Sequence, residues 1–184
     1  MQLSIVVSRI YYTLTRRWTL PIQQLVEAAL LAKTPHERVL GFDVYLDAQG
    51  ESTANAMMQL GDALRLVERS DPRCFARLRC DLTRFVISPA ANVSAAHFPT
   101  SSTCYLSSRF VEEYPVPNVA IAIVHEATHA RLDHAGIPLY PDWKARIERR
   151  CVLEEITFAQ RLSETEHPGI SNWISGRIQN LAAR

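Results

Sequence analysis

Apolar positions recur at helical spacing over most of the chain and at strand spacing over a few short pieces. Leu3, Val6, Val7, Ile10, Tyr11, Leu14 and Trp18 are separated by threes and fours, with Arg9, Arg16 and Arg17 turned largely away, which predicts an amphipathic helix over 3–18. A second helix is expected from about Pro21, a residue suited to a first turn, to Ala32, so that 1–33 form an N-terminal helical pair. From Leu40 the period becomes two. Leu40, Phe42, Val44 and Leu46 share one side and Asp43, Tyr45 and Asp47 the other, so 40–46 reads as a half-buried strand closed by a turn at Gln49-Gly50. Met57, Leu60, Leu64 and Val67 restore helical spacing over 53–69, and Ser70-Asp71-Pro72 stops that helix and starts a shorter one carrying Phe75 and Leu78.

Two β-prone stretches, 83–88 and 102–106, flank a polar loop over 89–101 that contains Ser94, His97, Pro99, Thr100 and Ser101 and is expected to be a mobile surface segment. Helices follow over 117–134, about 141–163 and 170–182. The first has Asn118 as its expected N-cap and stops near Gly136 and Pro138; the last puts Ile170, Trp173, Ile174, Ile178 and Leu181 on one face. Few strands among many helices, in a chain of 184 residues, make an α+β fold in one domain over 1–184.

Composition narrows the function mostly by exclusion. Lys and Arg total 20 against 19 Asp and Glu, a net charge of +1 that draws the chain as a whole to neither nucleic acid nor an anionic membrane. The arginines are dispersed rather than clustered, so they build no phosphate site. Cys74, Cys80, Cys104 and Cys151 form no C-x-x-C pair and read as reduced thiols of a cytoplasmic protein. No run approaches the ~18 apolar residues of a membrane span, and Arg9 follows the first apolar patch, the reverse of a signal peptide.

The chemistry concentrates in His125-Glu126-Ala127-Thr128-His129, which interrupts the apolar run Ala120-Ile121-Ala122-Ile123-Val124. Positions 125 and 129 lie ~40° apart on a helix, so both imidazoles can face one ion; Glu126, rotated by ~100°, stands beside it rather than on it. Two histidines and a glutamate on a core helix are costly unless they are paired or ligated. Two imidazoles at this spacing are half of a tetrahedral zinc site, and the adjacent carboxylate is placed to act as general base, taking a proton from water.

Catalytic zinc commonly has three protein ligands, so one is missing. His134 points ~180° from His125 if the helix continues, and is left out. On the next helix Ile147, Cys151, Phe158, Ala159 and Leu162 define the buried face; Glu155 falls within it and Glu154 at its edge. Glu155 is therefore the expected third ligand and Glu154 the expected partner of an arginine. Glu148, two turns earlier on the same face, is expected to hydrogen-bond a ligand histidine.

HExxH followed by a glutamate on the next helix resembles the zincin metallopeptidases, specifically the gluzincins, over about residues 82–163. Ile123-Val124-His125-Glu126-Ala127-Thr128-His129-Ala130-Arg131-Leu132 is also similar to bacterial zinc peptidases that have no assigned substrate. The resemblance implies a hydrolase of protein or peptide substrates in which His125, His129 and Glu155 bind Zn2+ and Glu126 is the catalytic base. It further implies that 102–106 is the edge strand on which an extended substrate pairs, with Tyr140, Tyr105 or His134 as oxyanion donor.

The chain departs from that pattern in places. Many gluzincins carry an aspartate four residues after the ligand glutamate, where this chain has Ala159, so Glu148 or Asp133 is expected to orient the first histidine. Leu132 and the position of His134 do not match the metzincins. Peptide deformylases, which would bring in Cys104, lack a counterpart here to their glycine-rich signature, and the ribosomal-RNA maturation endoribonucleases, similar in their Asp-His ending, have no glutamate after the first histidine. The alternative from another class is a zinc-binding regulatory or interaction module without turnover, in which His134 or Cys104 fills the fourth position.

Overall fold

The structure is a computed structural model that describes residues 31, 32, 34–46, 52–89, 94–98, 101–137, 141–164 and 166–182. The helices expected over 3–18 and up to residue 30, the turn at Gln49-Gly50, and Tyr140 lie outside the described residues.

The fold is α+β, as the sequence pattern requires. Strands β1 (His36–Val39), β2 (Phe42–Leu46), β3 (Arg84–Ser88), β4 (Ala95–Phe98) and β5 (Thr103–Ser107) form one sheet in the order β1-β2-β3-β5-β4. β2, β3 and β5 are parallel to their neighbours in the centre, and the two outer strands β1 and β4 are antiparallel. The helices are α1 (Ser52–Ser70), α2 (Pro72–Asp81), α3 (Ser108–Glu113), α4 (Val116–His134), α5 (Pro141–Ala159) and α6 (Ile170–Ala182).

The period-2 pattern puts Phe42, Val44, Phe85, Ile87, Cys104 and Leu106 on one face of the sheet, all buried. They pack against Leu60, Leu64 and Val67 of α1, Phe75 and Leu78 of α2, and Val119, Ile123, Ala127 and Ala130 of α4 in a single core. Phe42 meets Phe85 edge-on, with ring centres 5.2 Å apart, where β2 pairs with β3. The start of α2 is fixed as the Ser-Asp-Pro signal implies: Asp71 accepts a hydrogen bond from the Cys74 amide and Pro72 opens the first turn.

Four expectations are corrected. The strand expected over 40–46 begins later, because Leu40 and Gly41 both adopt positive φ (50° and 91°) and turn the chain between β1 and β2 as a hairpin. A side chain at Gly41 would also stand 3.1 Å from the Arg79 guanidinium. The segment expected to be a mobile loop over 89–101 contains β4, which pairs with β5 and packs on α4. The expected edge strand over 102–106 is therefore interior: β5 lies between β3 and β4, and β4 is the edge. Asn118 is not the N-cap, since α4 starts at Val116 after Pro115 and the Asn118 amide donates to the Pro115 carbonyl at 2.9 Å. No helix among the described residues is long and apolar enough to cross a membrane.

Candidate metal centre

α4 runs through the core, and His125, Glu126 and His129 lie on its side facing α5 and β4. Small residues at Ala127 and Ala130 keep the opposite side close to α1 and α2. Thr128 is absorbed by donating to the Val124 carbonyl at 2.8 Å. The spacing of four then brings the His125 and His129 rings within 4.8 Å, centre to centre, with their Nε2 atoms 3.1 Å apart.

Glu148, Cys151 and Glu155 follow one another along the side of α5 that faces α4. Glu148 sets Oε2 at 3.5 Å from His125 Nε2 and Oε1 at 3.5 Å from His129 Nε2. Glu155, nearly fully buried, contacts the other nitrogen of His125, Nδ1, through Oε1. Its Oε2 accepts a fork from Arg177 of α6, with Nε at 2.9 Å. The His125 ring is thus bracketed: Glu155 holds Nδ1 and Glu148 faces Nε2. Both glutamates expected at the site are present, and Glu148 is the one beside both Nε2 atoms.

Cys151 is fully buried beneath the rings. The ligand atoms of His125, His129 and Cys151 lie within 4.8 Å of one another, so this group could hold a metal ion. Burial pushes the thiol well above its ordinary range, and the Glu148, Glu126 and Glu155 carboxylates push it further. Glu126 is buried between α4 and β4, and its carboxylate accepts the backbone N–H of His97. Burial also raises the Glu126 carboxyl above its usual range, with the Glu148 and Glu155 charges adding to it; the His125 ring and the His97 amide only partly offset this.

Burial pulls the two imidazoles down. The hydrogen bond to Glu155 and the charges of Glu126, Glu155 and Glu148 outweigh that at His125, whose pKa is raised. His129 carries the added repulsion of His125 and is lowered. A cleft of about 620 Å³ opens over this cluster, lined by Ala95, Ala96 and His97 on one side and Lys144 and Glu148 on the other, with His125, Glu126 and His129 between.

Comparison with protein-family models, curated proteins and solved structures finds no match. The remaining sequence candidates stand apart from the cluster. His134 Nε2 shares a 2.9 Å hydrogen bond with Ser102 Oγ, and Tyr105 packs against Phe98 with ring centres 4.9 Å apart. Cys104 is buried in the core on β5 and is not among the grouped ligand atoms. Glu154 pairs with Arg150, with Arg131 at 3.3 Å and with Arg77 at 3.7 Å, the arginine pairing expected of it.

Sequence reasoning missed Cys151, Arg177 and His97. Cys151 carried a signal, since it lies between Glu148 and Glu155 on the same helical face. Arg177 lies four residues after Trp173, one turn along the packed side of α6, and its guanidinium stacks 5.5 Å from that ring. His97 had no periodic signal.

Proposed function

We propose that the chain is a zinc-dependent peptidase in which His125, His129 and Glu148 hold the ion and Glu126 is the catalytic base. One observation carries the reading. Donors about 2.0–2.1 Å from a tetrahedral zinc stand about 3.3–3.4 Å apart; His125 Nε2 and His129 Nε2 are 3.1 Å apart, and Glu148 offers one oxygen at 3.5 Å from the first and its other oxygen at 3.5 Å from the second. Two imidazoles and a carboxylate are donors that zinc favours, and the contact of Glu155 with His125 Nδ1 is the outer partnership that metal-bound histidines commonly have.

Zinc bound there supplies Lewis acidity to a substrate carbonyl and to a water molecule. Glu126 would take a proton from water in the cleft and pass it to the leaving amine; burial raises its carboxyl above the usual range, which favours its holding that proton between the two transfers. The His97 amide fixes the carboxylate on the cleft side. An extended peptide would lie along the edge strand β4, the role assigned from sequence to 102–106. Glu155, tied to Arg177, orients His125 rather than entering the ligand set.

Cys151 favours a second reading. With its sulfur as a fourth ligand the site would be closed, and the chain would be a zinc-binding regulatory module without turnover.

The deciding experiment combines metal content with peptide-library cleavage, monitored by mass spectrometry, on the purified chain and Glu126→Gln. Peptidase function requires zinc in both proteins and cleavage by the wild type alone, with a loss of about 10²–10⁴-fold in Glu126→Gln. Zinc in both with no cleavage by either, joined to loss of zinc in Cys151→Ala, supports the closed site instead.

A further inference from the structure

A second cavity of about 580 Å³ lies between α5 and α6, and Lys144 and Glu148 line both it and the cleft over the histidines. Among the described residues its remaining charged lining is basic: Arg146, Arg149 and Arg177. Two of these cations are occupied, Arg177 by Glu155 and Trp173, and Arg146 by the Trp143 ring at 5.7 Å. Lys144 and Arg149 are exposed and meet no carboxylate among the described residues.

The charge therefore changes sign between two cavities that share Lys144 and Glu148 in their linings. Glu126, Glu148 and Glu155 surround the histidines, and Lys144, Arg146, Arg149 and Arg177 line the second cavity. Neighbouring cavities of opposite sign select the direction in which a charged ligand lies across them.

We propose that the α5–α6 groove binds a carboxylate of the peptide substrate, through Lys144 and Arg149, on the side of the scissile bond away from β4. This rests on the peptidase reading for the identity of the ligand. The carboxylate comes either from acidic side chains or from the free C-terminus of the peptide. The ammonium and guanidinium heads lie at the mouth, where a carboxylate keeps part of its hydration, so each contact is worth about tenfold in affinity and weakens with salt.

The test uses anisotropy of rhodamine-labelled peptides on the full-length, zinc-supplemented Glu126→Gln protein, in which bound peptide is not cut. The probes are C-terminally amidated hexaglutamate, amidated hexaglutamine, and hexaglutamine with a free C-terminus. One carboxylate-bearing probe is expected to bind at least about tenfold more tightly than amidated hexaglutamine. Adding Lys144→Gln and Arg149→Gln is expected to remove the difference. Preference for hexaglutamate assigns side chains, and preference for the free end assigns the terminus.

Equal affinity for all three probes overturns the proposal, as does a preference that survives the two substitutions in a protein with an unchanged melting curve. Tighter binding of a hexathymidylate with the same dependence overturns it in favour of nucleic acid. Because the readout needs no turnover, a wild type that cuts nothing sinks the peptidase reading while carboxylate binding stands, and the reverse result separates them equally.

Discussion

Replacing Glu155 by glutamine tests how the two α5 glutamates divide their work. Glu155 offers one oxygen to His125 Nδ1 and the other to the Arg177 fork. In that arrangement Nδ1 carries the proton and Nε2 presents a lone pair toward Glu148 and His129. A glutamine has one oxygen, and the charged Arg177 fork claims it. The amide NH2 is then left facing Nδ1, which must accept, and the proton moves to Nε2, where a metal would bind. The perturbation is a tautomer change with almost no change in shape.

Loss of such an outer partner costs about 10–100-fold in metal affinity, or about 1.4–2.7 kcal/mol. The wrong tautomer places Glu155→Gln at the upper end of that range. Glu148→Gln would remove a charged ligand of the proposed site and is expected to cost more. The assay is competition for zinc against a chelating dye, with circular dichroism to confirm folding. The reasoning fails if Glu155→Gln binds zinc within about twofold of wild type. It fails as well if Glu155→Gln abolishes zinc binding while Glu148→Gln keeps it, which would return the ligand role to Glu155.

Three further outcomes follow from the same structure. Zinc at about 100 times its dissociation constant is expected to stabilise the fold by about 2.7 kcal/mol. At about 2–4 °C per kcal/mol this raises Tm by about 5–10 °C, and a Tm indifferent to zinc and to chelator contradicts the site. Phe85 is fully buried against Phe42, so Phe85→Ala is expected to cost about 3–5 kcal/mol; a shift under about 1 kcal/mol in denaturant melts would show the sheet core misassigned. Glu164 accepts hydrogen bonds from the Gly169 amide and from the Ser171 amide and hydroxyl at the start of α6, and these hold its carboxyl below its ordinary value near 4.5. A lowered folded-state value means stabilisation that is present above the unfolded value and lost as pH falls through the folded one. Wild type should therefore melt above Glu164→Gln at neutral pH and converge with it as pH falls through the lowered folded-state value; a gap that persists in strong acid would refute the clamp.

What could be read from the sequence was what depends on a single element. The period of three and four located α1, α2 and α6, and the spacing of His125 and His129 placed both rings on one side of α4 before any tertiary contact was known. The edge strands were invisible for a physical reason. Ala95-Ala96-His97-Phe98 and His36-Glu37-Arg38-Val39 lack apolar alternation, because one flank of each strand has no partner strand among the described residues and little of it enters the core. The division of labour between Glu148 and Glu155 could not be read at all. A helical projection tells which side of α5 a residue occupies, but not its level along the axis, and seven residues amount to about 10 Å. Which glutamate meets the Nε2 atoms depends on the stagger of α5 against α4. The role of Arg177 depends on a third helix returning to the pair.

Charge gives the site its internal logic. Glu126 and Glu155 are buried and Glu148 half-buried, and a carboxylate taken out of water needs a cation or donors to compensate it. Arg177 compensates Glu155, which leaves Glu126 and Glu148 facing two imidazoles, one of them made harder to charge by the other. On the proposed reading, a divalent cation held by His125, His129 and Glu148 would balance those two carboxylates without requiring either histidine to be protonated. The α5 pattern of carboxylate, thiol and carboxylate is then intelligible by depth: Glu148 reaches the open cleft where a substrate would lie, Cys151 is buried behind it, and Glu155 is sealed between His125 Nδ1 and the Arg177 guanidinium of α6. Orientation of His125 is thereby removed from solvent, and the face left open is the one where the proposed ligand exchange and proton transfer would occur.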